Sequence, residues 1–262
     1  MARETVSDTI NVAGLLSVVC SALVASSAVM LRPQQAENKD LDRKKNILEA
    51  AGLFEEGKST EEQFQEFEIK IVDLATGEFR DDIDAATFDQ RKAARSDETG
   101  VAIAKENDLG GIKRRSLTAL VYVSLDGEGG LRQLILPVHG KGLWSTLYGF
   151  LALSADGSTV RGITFYEHGE TAGLGAEVDN PKWKAIWPGK QVFDESGKIR
   201  LEVIRGSVLP SSPNVQYEVD GISGATITSK GVSNLIHYWL GPDAFGPFLE
   251  HLHQKKDPPS DA

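Results

Sequence analysis

Residues 118–138 read TALVYVSLDGEGGLRQLILPV. Positions 118–125 and 131–138 are apolar and rich in β-branched residues, the composition of strands. Gly127-Glu128-Gly129-Gly130 lies between them and supplies a hairpin turn. A hairpin commits its two strands to antiparallel pairing. Further strands are expected at 147–153, 159–166, 200–205 and 214–219. Outward from this sheet the texture turns helical. Residues 41–51 (LDRKKNILEAA) offer Leu41, Ile47, Leu48 and Ala51 to one helix face. Residues 60–74 begin as a helix and end in the alternation Phe67-Ile69-Ile71. Residues 80–115 are polar and without a clear period, which predicts a long surface excursion with helical pieces. Pro181 opens a short helix over 181–187. Helices at 226–240 and 242–253 close the chain around Gly241-Pro242, and the tail 257–262 (DPPSDA) is expected to fray. Helices, a mostly antiparallel sheet and more helices define an α+β fold.

The chain has 262 residues and a net charge of −10. That balance argues against a nucleic-acid partner, which demands clustered Lys and Arg. A single cysteine excludes an internal disulfide, a CxxC metal site and a dithiol redox pair. No charge occurs between Asp8 and Arg32, and residues 12–31 hold fifteen apolar residues, four serines and one glycine. Twenty helical residues span about 30 Å, the thickness of a bilayer core. This stretch reads as a membrane anchor in contact with lipid. A cleaved signal peptide is the rival, because Ser26-Ser27-Ala28 resembles a cleavage site. Arg32, Lys39, Arg43, Lys44 and Lys45 follow the span, whereas Arg3 and the α-amine precede it, so the positive-inside rule favours a cytoplasmic body. Three segments result: tail and anchor at 1–35, a helical and irregular linking region at 36–117, and the sheet domain at 118–262.

Gly52-Leu53-Phe54-Glu55-Glu56-Gly57-Lys58-Ser59 matches the GxxxxGK[ST] phosphate loop by letter. Its context fails, because a phosphate loop follows a buried strand and this segment follows a charged helix. His139, His168, His237, His251 and His253 have no metal-ligand spacing, so no metal site is expected. No nucleophile elbow, HExxH or paired carboxylates are present, so no catalytic residue is assigned.

Three glycine-bearing segments carry more information. Asp220-Gly221-Ile222-Ser223-Gly224-Ala225-Thr226-Ile227-Thr228-Ser229 leads from a strand into a helix. Free backbone N–H groups and the positive dipole end make such a start an anion site. Small Ser223, Gly224 and Ala225 let a bulky phosphorylated group approach. The competing reading is that Thr226 or Thr228 only caps the helix. His168-Gly169-Glu170-Thr171-Ala172-Gly173-Leu174-Gly175 has three glycines within the seven residues 169–175, which allow tight turns beside a flat ligand. Gly140-Lys141-Gly142-Leu143-Trp144-Ser145 is a third such loop, with one large aromatic. Together they suggest a pocket for a large planar phosphorylated ligand.

At these residues the chain resembles a family. SGAT within DGISGATITS resembles the covalent flavin-attachment motif of membrane redox subunits. HGETAGLG and GKGLWS resemble companion motifs of the covalent-FMN subunit of the sodium-translocating NADH:quinone reductase. The likeness covers the anchor, RKKNILEAAGL and the sheet domain; it departs only at Ala172, where the family usually has proline. The resemblance implies FMN joined through its phosphate to a threonine hydroxyl, here Thr226, by a separate flavin transferase. It also implies that Ser223, Gly224 and Ala225 adjoin the phosphate, and that Glu170, Thr171, Gly173, Leu174 and Trp144 lie near the flavin. It implies that the chain relays electrons from an iron–sulfur centre toward a second flavin, both on partner subunits of a six-subunit complex. The flavin domain would then lie on the periplasmic side of a bacterial inner membrane, against the charge count at the anchor. A related ferredoxin:NAD oxidoreductase flavin subunit, or an anchored protein that binds a free anion, are the alternative readings.

Overall fold

The computed structural model describes residues 5–256. In chain order the elements are α1 (Val6–Ala51), α2 (Thr60–Phe64), β1 (Phe67–Asp73), α3 (Gln90–Arg95), β2 (Gly100–Ala102) and β3 (Arg114–Ser116). The sheet strands follow as β4 (Thr118–Leu125), β5 (Leu131–Lys141), β6 (Thr146–Ser154) and β7 (Val160–Glu167). The chain closes with α4 (Pro181–Lys184), β8 (Glu202–Val203), β9 (Glu218–Val219), α5 (Thr226–Trp239) and α6 (Gly246–Lys256).

The chain divides into two units, residues 1–43 and 44–262. The first is helical wherever it is described, apart from Thr5. Within α1 an 18-residue window has a mean hydropathy of 2.1, and none of it is buried by protein. Length and composition therefore suit it to a bilayer. The apolar span at 12–31 and the helix expected at 41–51 are one element that runs through Pro33.

The second unit is built on a five-stranded sheet in the order β1-β4-β5-β6-β7. Every neighbouring pair is antiparallel. The 118–138 hairpin closes as expected: the Asp126 amide donates to the Gly130 carbonyl at 2.8 Å, and Gly129 takes a positive φ of 83°. Both faces are covered, which explains the unbroken apolar run of β4. Ala119, Val121 and Val123 enter one core with α5, α6, Trp183 and Trp187. Leu120 and Tyr122 enter the other, with Phe67, Phe150 and the last turns of α1 at Ile47, Leu48, Ala50 and Ala51. Gly162 permits that second contact, since a Cβ there would clash with the Ala50 carbonyl oxygen.

Tertiary structure adds three local details. β1 falls inside the stretch 36–117 read as a linking region, yet pairs along seven residues with β4 as an edge of the main sheet. The strands expected at 200–205 and 214–219 shrink to β8 and β9, which pair in parallel over two residues. The 80–115 excursion is tied down by Arg91, whose guanidinium lies 3.5 Å from the Tyr148 ring centre. Arg91 also donates to the Tyr166 hydroxyl at 3.2 Å and to Glu167 at 2.9 Å.

His139 is held between the rings of Tyr148, 5.3 Å away, and Trp239, 4.8 Å away. Burial, reinforced by the positive charge of Arg91, pushes its pKa down from 6.5 to about 4. Between those values the unfolded chain binds a proton that the folded chain refuses, so stability is full above pH 6.5 and declines as pH falls toward 4. The loss should reach about 3 kcal/mol across that window. Urea titrations at pH 7 and pH 4.5 should show it, and His139→Phe should flatten the slope.

Candidate functional site

The three glycine-bearing segments converge where β5 ends, β7 ends and α5 begins. β5 and β6 carry the 142–145 turn between them, β7 delivers 168–175, and β9 leads into 220–225. Glu170 ties them together. Its side chain is 8% exposed, and its Oε1 accepts from the amides of Trp144 at 2.9 Å and Ser145 at 3.2 Å. Oε2 accepts from the Leu143 amide at 3.2 Å and the Thr228 hydroxyl at 2.6 Å. The Gly169 amide donates to Ser145 Oγ at 2.6 Å, a second link between two of the loops. Burial alone would raise the Glu170 pKa. The donors from Thr228, Trp144, Ser145 and Leu143 outweigh it and hold the carboxyl below its usual range.

The start of α5 carries no side-chain cap: its N-cap is Ala225, and the first turn carries no acid. Neither threonine caps it: Thr226 is the first helical residue and is exposed, while Thr228 is buried and donates to Glu170. An α-helix leaves its first N–H groups without intrahelical partners, and these stay available to an anion. Gly224, at φ 72°, makes the turn, and a Cβ there would meet Leu174 Cδ2 at 2.8 Å. Ser223 is exposed, and Ala225 is buried.

Around this start lie large apolar groups in the open: Trp144 is 67% exposed, Ile227 59%, Leu174 43% and Leu143 41%. Thr171 and Gly173 are exposed in the same loop. Such a patch suits one face of a flat aromatic ligand. Asp220 braces the approach: its Oδ1 accepts from the Val208 amide at 2.7 Å and its carbonyl from Trp183 Nε1 at 2.8 Å.

Sequence reasoning misses Thr228 as a tie to Glu170, and misses Leu143, Ile227 and Lys230. Lys230 carries the only local signal. It is exposed and lies four residues after Thr226, on the same helix face, with a Cβ that leans toward the helix start. The phosphate-loop lookalike does not form one. Gly52 follows a helix at φ 67°, and Ser59 caps α2 through the Glu62 amide. The histidines serve packing and hydrogen bonding: His237 meets the Leu201 carbonyl at 2.9 Å, His168 meets Asp179 at 2.6 Å, and His253 packs on Phe193.

An FMN-binding domain family model matches residues 142–241, which contain the 220–229 segment, the 168–175 loop and the 142–145 turn. The fold and site thus define an FMN-binding domain carried behind an apolar helix. The C subunit of the Na(+)-translocating NADH-quinone reductase of Pseudomonas aeruginosa is 48% identical over 96% of this chain and 98% of its own length. That of Haemophilus ducreyi is 46% identical over 94% of each. The crystal structure of Shewanella oneidensis NqrC superposes with a TM-score of 0.76 at 34% identity, covering 85% of this chain and all of that one. The chain belongs to this family, the C subunits of Na(+)-translocating NADH-quinone reductases.

Proposed function

We propose that this chain is the flavin-carrying electron-transfer subunit of a sodium-translocating NADH:quinone reductase, with FMN esterified through its phosphate to the Thr226 hydroxyl. The observation that carries the reading is the start of α5: an exposed threonine at the first helical position, with no side-chain cap, inside the FMN-binding domain. A phosphodiester on Thr226 keeps one negative charge. The dipole there favours it by about 0.3–1 kcal/mol. Lys230, one turn along, adds a cation without burial cost. Trp144, Leu174 and Ile227 offer apolar surface to the ring, with Thr171, Gly173, Ser223, Gly224 and Ala225 close to the path of the backbone. Bound FMN supplies the one- and two-electron chemistry. The chain's own residues position the group, shield it in part and leave an edge open to partners.

One cysteine, Cys20, lies in the apolar helix, so a cysteine-ligated cluster must belong to another subunit. Electrons would pass from that iron–sulfur centre to this flavin and on to a second one. A flavin transferase would form the Thr226–phosphate bond. α1 would cross the inner membrane among lipids, with the sheet domain on the periplasmic side, since folded domains translocate largely regardless of flanking charge.

The test is to extract the chain from membranes, denature it on a gel and look for flavin fluorescence, then locate the added mass in a peptide containing 220–229. A dark band from cells that hold the transferase would overturn the covalent reading. Protease added outside spheroplasts should digest the sheet domain. Trp144→Ala should change stability by no more than about 0.5 kcal/mol, because the side chain is exposed. It should brighten the emission of the native loaded chain, since a stacked indole quenches flavin.

A further inference from the structure

We propose that Glu170 is a positioning residue whose carboxylate does not contact the flavin and instead fixes the 142–145 turn and the first turn of α5 as one rigid cradle. The inference rests on Thr226 as the attachment point but concerns a different residue. An ionised carboxylate offers about four acceptor sites. At Glu170 all four bonds come from the protein: three amides in a row, Leu143, Trp144 and Ser145, and the Thr228 hydroxyl. No capacity is left for a ligand. The four donors are neutral groups, so the negative charge is held by oriented dipoles alone. Two glycines make room for it. A Cβ at Gly142 would stand 2.6 Å from Glu170 Oε1, and one at Gly175 would stand 2.6 Å from Oε2 and 2.7 Å from Thr228 Oγ1. The three loops therefore pack around this one carboxylate. Trp144 and Thr226, both exposed, are each held through it: Trp144 by its own amide, and Thr226 through Thr228 two residues along the same helical turn.

The arrangement makes a chemical demand that shape alone does not. Glutamine has nearly the same volume, but its NH2 donates, and it would face donors on at least one side. Likewise Thr228→Val keeps the volume and removes the donor, whereas Thr228→Ser keeps the donor and removes a methyl. A packing role predicts that valine is tolerated better; the proposed role predicts that serine is.

The experiment uses the full chain in detergent, expressed with and without a flavin transferase. Amide hydrogen exchange is measured on the flavin-free protein and covalent flavin yield on the other. Glu170→Gln should raise exchange at 142–146 by about tenfold or more while the β6 peptide 147–154 stays protected. Its flavin yield should fall well below half of the parent's. Thr228→Val should shift both readouts in the same direction by a smaller factor, and Thr228→Ser should match the parent. Parent-like protection at 142–146 in Glu170→Gln, or valine outperforming serine at 228, would overturn the proposal. If Glu170→Gln loses protection across the whole sheet, the comparison of the two Thr228 variants decides. A Thr226→Val control keeps the two ideas apart: flavin persisting there sinks the attachment site, while the exchange data still judge Glu170.

Discussion

Thr226→Val, produced beside a flavin transferase, should reach the membrane folded and run as a non-fluorescent band on a denaturing gel. The expected loss is complete, because a phosphoester needs the hydroxyl oxygen and valine has the same shape without it. Thr226→Ser should retain flavin. Thr228→Val, two residues on, is the informative neighbour. Thr228 is fully buried and its hydroxyl already donates to Glu170 at 2.6 Å, whereas Thr226 is exposed. A transferase can reach the exposed hydroxyl and not the buried one. Fluorescence that survives at 226 and disappears at 228 would move the bond to Thr228 and require α5 to unwind its first turn. Folding of the dark variant is checked by its unchanged unfolding midpoint, since an exposed threonine at a helix start contributes little packing.

Trp239→Ala should cost about 3–5 kcal/mol of folding stability. The side chain has no exposed surface, and its ring packs against His139, Tyr238 and Phe245 at 4.8, 5.6 and 5.7 Å. Its Nε1 donates to the His139 carbonyl at 2.7 Å. Alanine would leave both a cavity and a buried carbonyl without its donor. Domain stabilities are about 5–15 kcal/mol, so this change removes a large share. It also acts on function, because Trp239 ends the helix that Thr226 begins. Urea unfolding of the detergent-solubilised chain measures it, with Trp239→Phe expected to recover part of the loss. A change under about 1 kcal/mol would mean that the neighbours collapse into the space.

The legible parts of this fold share one property: their signals are local. The apolar run at 12–31, the 118–138 hairpin and the small residues before Thr226 each state a conformation within a few turns of chain. β1 is harder to place, although its alternation Phe67-Ile69-Ile71 is visible. Nothing between 74 and 117 announces that it pairs with β4. The Arg91 contacts span 75 and 76 positions and have no periodic signature at all. β8 and β9 look longer in sequence than they are, because the apolar alternation at 200–205 reflects burial of Leu201 and Val203 in the α5 core as much as ladder pairing, and at 214–219 only Val219 joins that core.

The residues alone dictate that a charge-free apolar span precedes an acidic antiparallel sheet domain, and that a glycine-softened turn opens α5 at Thr226. Propensity, hydropathy and turn chemistry suffice for those, since each depends on neighbours in the chain. Which threonine is exposed, and which donors Glu170 accepts from, are decided by tertiary packing. Thr226 and Thr228 look equivalent as letters. They differ because Glu170, 58 residues before Thr228, is buried beside it and takes its hydroxyl. A buried carboxylate must find donors wherever the fold supplies them, and that demand spans distances no local pattern encodes.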